Sequence, residues 1–146
     1  MAVSVIGKVL LDTNVLIDYL RTGAYEEWVR GRHRHIARFL SAVVLMELRL
    51  GAGSPKRKRA VDRIQSAFPP ERVLAPTPSL FNRAAELFLQ LHGNRPTLSD
   101  RLGPVDDLLI ALTAWRIGAT VVTSNLKEFQ RIAGFLPGLS VVAPAE

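Results

Sequence analysis

Cysteine is absent from the 146-residue chain, which removes disulfides and thiolate metal sites together and leaves oxygen and histidine as ligands for any metal. No run of eighteen uncharged apolar residues occurs, so a membrane-spanning helix is not expected. The opening Met1-Ala2-Val3-Ser4-Val5-Ile6-Gly7-Lys8 lacks the basic start and small-residue cleavage site of a secretory signal. The expectation is a cytoplasmic protein with no membrane partner. Low-complexity tracts, internal repeats and linkers are missing as well. With 48% hydrophobic and 22% charged residues, the composition is that of a folded globular protein. A phosphate-binding glycine loop is also lacking, which excludes the P-loop nucleotidases. The length suits a single domain over residues 1–146.

Acid is short relative to base: 19 Lys and Arg stand against 13 Asp and Glu, a formal charge of +6. The excess is clustered, with Arg21, Arg30, Arg32, Arg34 and Arg38 in one group and Lys56, Arg57, Lys58, Arg59 and Arg63 in another. Polyanions are natural partners for such clusters, although a solvated helix face explains a single basic run equally well.

Strand and helix signals alternate along the chain. Lys8-Val9-Leu10-Leu11-Asp12 reads as a strand, and Val15, Leu16, Ile17, Tyr19 and Leu20 as the apolar face of the helix after it. His35 to Leu40 reads as a second strand, followed by a helix over residues 42–50 capped by Ser41 and stopped by Gly51. Ser54-Pro55 opens a basic amphipathic helix reaching about Phe68, closed by Pro69-Pro70. Residues 72–75 form a third strand and residues 78–92 a helix. The breaker-rich stretch from Gly93 to Pro104 is expected to be an irregular loop. Val105 to Ile117 is a helix apolar nearly all round, hence buried. Residues 119–123 and 139–142 complete the strands, with a short helix over 127–132 between them. Short, uniformly apolar strands alternating with helices imply an α/β sandwich whose mostly parallel sheet is covered on both faces. Ligands of such sheets sit at the carboxyl ends of the strands.

At those ends stand Asp12, Thr123 and Asn125, with Asp106 and Asp107 opening the buried helix. Glu47 sits alone in the apolar context Ala42-Val43-Val44-Leu45-Met46-Glu47-Leu48, where a carboxylate is costly unless paired or bound to a cation. Each has an ordinary explanation: Asp12 as a strand terminator or cap, one of Asp106 and Asp107 as a helix-start acid, Glu47 in an ion pair, Glu128 as a surface residue.

Taken together, Val9-Leu10-Leu11-Asp12-Thr13-Asn14, residues 41–48, Asp107-Leu108-Leu109-Ile110-Ala111 and Val121-Val122-Thr123-Ser124-Asn125-Leu126-Lys127-Glu128-Phe129 resemble the four motifs of PIN-domain nucleases. In particular they look like those of the VapC toxins of toxin-antitoxin pairs, in order and spacing across about 130 residues. The resemblance implies a PIN-like three-layer α/β sandwich with about five strands. It also implies a metal-dependent endoribonuclease using Mg2+ or Mn2+ on Asp12, Glu47 and Asp107. Thr123, Asn125 and Glu128 of the fourth motif complete the site, with Thr13 and Asn14 as supporting residues. Many relatives carry aspartate where this chain has Asn125 or Glu128, which leaves the fourth ligand open between them. Lys56, Arg57, Lys58 and Arg59 are expected to contact RNA phosphates. Further implications are a VapB-type antitoxin partner and a homodimer, with apolar surfaces on the helices carrying Tyr19, Leu20, Tyr25 and Trp28 and on the one carrying Leu87, Leu89 and Leu91.

The chemistry suits the residues. Carboxylates are the ligands of hard divalent ions, and a bound ion acidifies its water and stabilises a departing oxygen. A metal-free route through His33, His35 and His92 is disfavoured, because nothing sets two of them as acid and base. Between neighbours, Asp107 stacks with Ala111 and Ala114, small residues that let the helix lie close to the sheet, and it stands three residues before Ile110-Ala111 as the motif requires. Asp106, just after Pro104, is expected to cap the helix. A haloacid-dehalogenase-like phosphatase would want an aspartate at Asn14, and a receiver domain would want its acidic pair near the start. The remaining alternative is a catalytically silent PIN-like module that binds nucleic acid or a partner.

Overall fold

The computed structural model describes residues 7–31, 35–93 and 99–144. The expectations placed on the first six residues, on Arg32, His33 and Arg34, and on residues 94–98 lie outside the described residues. The elements follow in the order β1 (Lys8–Leu11), α1 (Thr13–Thr22), α2 (Glu26–Arg30), β2 (Ala37–Ser41), α3 (Ala42–Leu50) and α4 (Pro55–Ser66). After a 3-10 turn at Pro70–Arg72 come β3 (Val73–Leu74), α5 (Pro78–His92), α6 (Ser99–Ile117), β4 (Thr120–Val122), α7 (Leu126–Ala133) and β5 (Ser140–Val142). Among the described residues no helix is long and apolar enough to cross a membrane.

The strands form one five-stranded sheet in the order β3-β2-β1-β4-β5, with every pairing parallel. Val9, Leu10 and Leu11 are each 0% exposed. Successive strand residues point to opposite faces, so this run requires cover on both sides of β1. The α/β sandwich expected from the sequence is the fold observed. Leu10 is in register with Phe39 of β2 and Val121 of β4. The chain builds outward from β1 to β2 and β3, then returns to add β4 on the other flank of β1. The strand order therefore reverses between β1 and β4, and a crevice opens there at the carboxyl ends of both strands.

The helix starts follow local chemistry. Ser41 Oγ accepts from Val43 N at 3.0 Å, Ser54 Oγ from Arg57 N at 3.2 Å and Thr77 Oγ1 from Leu80 N at 3.3 Å, each satisfying a donor the helix leaves orphaned. The helix over residues 78–92 lies where the sequence placed it. One expectation fails. The stretch ending at Pro104 is not loop throughout, because α6 begins at Ser99 and carries Pro104 inside it. A proline removes one intrahelical hydrogen bond, and the packing of this helix against α5 and α7 holds it through that loss. Asp106 therefore lies well within α6 and is not its cap. The small-residue stripe also gives no contrast in burial, since Ile110 and Thr113 are as enclosed as Ala111 and Ala114.

Candidate active site

Asp12 closes β1 at the crevice and is 4% exposed. The ladder continues past the strand ends, with Asp12 N donating to Val122 O at 2.9 Å and Thr123 N to Val142 O at 3.0 Å. These bonds fix the backbone of Asp12 and Thr123 side by side. Both carboxylate oxygens of Asp12 are engaged: Oδ1 accepts from Thr13 N at 2.8 Å, while Oδ2 accepts from Thr123 Oγ1 at 2.8 Å and Asn14 Nδ2 at 3.1 Å. Thr123 Oγ1 in turn accepts from Asn125 N at 2.9 Å, and Asn14 Oδ1 accepts from Ser124 N at 3.1 Å. Asn14 thus ties the first turn of α1 to the turn after β4. The two motifs, more than a hundred residues apart in the chain, become one hydrogen-bonded unit.

The other acids come from helices. Glu47 sits half-buried on α3, and its Oε1 accepts a short hydrogen bond from Thr13 Oγ1. Asp107 projects from α6. Asp12, Thr13, Asn14, Ile17, Glu47, Asp107 and Asn125 line one open pocket of about 320 Å³. Glu128 stands outside that lining, in the first turn of α7, with Arg131 Nη1 3.9 Å from its Oε1. Its charge still reaches Asp107. Asn125 therefore forms pocket wall, while Glu128 acts on Asp107 by charge from outside the lining.

The electrostatics follow from placing acids together under cover. Burial raises Asp12 above its ordinary value, against the hydrogen bonds from Thr123, Thr13 and Asn14, and repulsion from Glu47 adds to the rise. Burial also raises Glu47; Thr13 opposes the rise, whereas a shared hydrogen bond with Asp106 and the charge of Asp106 add to it. Asp107 is pushed up to about 7, first by burial and then by Asp12, Glu47, Glu128 and Asp106 in turn. Carboxylates that resist ionisation for these reasons are groups that a cation would relieve. Among the described residues no three acids or imidazoles stand as a closed ligand set already. The pocket leaves room for water between Asp12, Glu47 and Asp107, the groups able to hold a hard cation.

Sequence reasoning missed Ile17, the one apolar residue among the described residues lining the pocket, and the reach of Asp106 to Glu47. Helical spacing held both signals: Ile17 is one turn after Asn14, and Asp106 adjoins Asp107. The basic residues divide. Lys56 and Arg57 line a larger groove of about 1080 Å³ between α1–α2 and α3–α4, together with Arg21, Arg30 and Arg63, whereas Lys58 and Arg59 lie on the outer surface of α4. Arg38 turns its guanidinium to the Phe68 ring, 5.8 Å from the centroid, and packs it against Gly31. Of the apolar surfaces expected to associate, Leu87 is fully buried and belongs to the core. Trp28 and Tyr25 pack partly buried against that core.

Solved structures similar to this one include VapBC-1 from nontypeable Haemophilus influenzae, at 25% identity and TM-score 0.64, covering 95% of this chain and 99% of that one. FitAcB from Neisseria gonorrhoeae is 25% identical with TM-score 0.63, covering 93% and 97% of the two chains. DNA-bound VapBC from Salmonella typhimurium is 23% identical with TM-score 0.68, covering 94% and 98%. No curated protein sequence matches the chain. The PIN-domain family model matches residues 9–135, nearly the whole length over which the sheet and its acidic crevice are built, and the chain belongs to the PIN-domain family.

Proposed function

We propose that this protein is a metal-dependent endoribonuclease that hydrolyses RNA phosphodiester bonds as the toxin of a toxin-antitoxin pair. One observation carries the reading: Asp12, Glu47 and Asp107 meet at a single pocket at the switch point of the sheet, each with its carboxyl raised by burial and by neighbouring acids. An all-oxygen donor set with room for waters fits Mg2+ or Mn2+. Bound there, such an ion would polarise a phosphodiester and activate water for its attack. The chain's own residues supply the positioning. Thr123, Asn14 and the Thr13 amide aim Asp12, the Thr13 hydroxyl aims Glu47, and α6 presents Asp107 from the facing side. Digestion of RNA by purified protein with Mg2+ or Mn2+, with and without EDTA, tests the reading. Cleavage abolished by EDTA is expected; no cleavage under any condition would leave a silent binding module.

Among the similar structures are VapBC assemblies and a toxin-antitoxin complex, which supports a VapB-type antitoxin as partner. It would cover the acidic pocket and suppress cleavage, so expression without it should arrest growth of the host. Exposed Met46 and Leu50 on α3 and Phe81 and Leu89 on α5 offer apolar surface for a homodimer. Sedimentation at micromolar concentration should report twice the chain mass, and a monomer would remove that part of the proposal.

A further inference from the structure

The groove between α1–α2 and α3–α4 gathers basic side chains on two facing walls. Three arginines outside it meet acids: Arg49 Nη1 lies 2.9 Å from Asp62 Oδ1, Arg83 Nη1 3.4 Å from Glu86 Oε1, and Arg131 Nη1 3.9 Å from Glu128 Oε1. Among the described residues Arg21, Arg30, Lys56, Arg57 and Arg63, all lining the groove, form no ion pair. Arg30 is nevertheless held in place, its Nε donating to Tyr19 Oη at 2.9 Å. Five cations against two lining acids among the described residues, Glu26 and Glu47, leave a strip of net positive charge that a polyanion can neutralise.

The strip is continuous with the acids. Ile17 and Glu47 line both this groove and the acidic pocket, so a chain lying in one runs directly into the other. We infer that the groove is the track of the RNA strand leading away from the scissile bond. Lys56 and Arg57 on one wall, and Arg21 and Arg30 on the other, hold successive phosphates. The inference rests on the ribonuclease reading and adds to it the path of the substrate. It also divides the basic run of α4. Lys56, Arg57, Ala60, Val61, Arg63 and Ile64 share the groove face at helical spacing, and Lys58 and Arg59 face away from it.

That division supplies a charge-matched control. The two variants to compare are Lys56→Gln/Arg57→Gln and Lys58→Gln/Arg59→Gln, which lose the same charge from the same helix. Binding of a single-stranded 2′-O-methyl oligoribonucleotide, read against salt, should weaken about tenfold in the groove pair. The slope of log K against log salt should fall by about 1.4, the counterion release of two single-strand phosphates. The outer pair should stay within about twofold of the parent protein by the same argument. In Mg2+-dependent cleavage the groove pair should raise KM and leave kcat close to that of the parent. Equal loss in both pairs would show a diffuse charge effect and overturn the inference. So would an unchanged KM in the groove pair, including the case in which those substitutions loosen only the antitoxin complex and mark the groove as a peptide site. If the parent protein cleaves RNA and the groove pair behaves like the parent, the track alone is wrong; if the parent cleaves no RNA, the ribonuclease reading is wrong.

Discussion

At the scale of single residues, the carboxylate of Asp12 and the hydroxyl of Thr123 do different work on one hydrogen bond. Asp12→Asn keeps an oxygen for the Thr13 amide and an amide that Thr123 Oγ1 can accept, so the fold should survive while cleavage drops below detection. Thr123→Val removes the donor that most lowers the Asp12 pKa, as well as the acceptor for Asn125 N. Loss of a partner that orients a ligand typically costs ten- to a hundredfold in metal affinity, and Mn2+ titration should show about that loss. With less stabilisation of its charged form, Asp12 ionises later, so the acid limb of the pH–activity profile should move to higher pH. A profile that keeps its position while activity falls would mean that Thr123 acts only on the backbone turn. Asp12, Thr13, Asn14 and Thr123 were legible in the sequence because they adjoin strand ends, where chain order and spatial order coincide. The contact of Asp106 with Glu47 was not, because it depends on how α3 and α6 approach each other, and no local pattern reports that.

Among elements, the passage from β2 into α3 shows how local chemistry carries a functional side chain. Ser41 ends the strand, is 0% exposed and caps the helix on which Glu47 rides one and a half turns later. Ser41→Ala should cost about 0.5–2 kcal/mol, the range for loss of an N-cap, read as a lower urea midpoint. The cleavage rate per folded molecule should fall by less than it does in Asp12→Asn, since Thr13 still holds Glu47. Activity lost in full without loss of stability would place Ser41 itself in the chemistry. Helix α3 was predictable to the residue because its cap, apolar run and Gly51 agree. The start of α6 was not, because Gly103-Pro104 signals a break that helix packing overrides. In α4, periodicity showed an amphipathic helix without showing which half of Lys56-Arg57-Lys58-Arg59 meets the groove, a matter settled by the placement of α1 and α2 across from it.

For the molecule as a whole, the acidic pocket should make stability run against the usual direction with pH when no cation is present. Asp107 is raised from an ordinary 3.8 to about 7, and a carboxyl raised in the folded state is bound to its proton more tightly there than in the unfolded chain. Its contribution is complete below about pH 4 and is lost as pH climbs through about 7. Asp12 and Glu47 are raised as well and push the same way. Ordinary surface carboxylates with favourable partners act in the opposite sense, so the effect is isolated by comparison with Asp107→Asn, which has nothing to titrate at that position. In EDTA the two proteins should unfold at similar urea concentrations near pH 4, and the variant should become the more stable of the two by pH 8. A divalent ion takes over the role of the proton by neutralising the same group, so saturating Mg2+ or Mn2+ should restore the parent protein at pH 8 and do little for the variant. Parallel midpoints for the two proteins from pH 4 to 8 in EDTA would show that the acids are not held together by the fold, and would remove the electrostatic reason for expecting a cation between them.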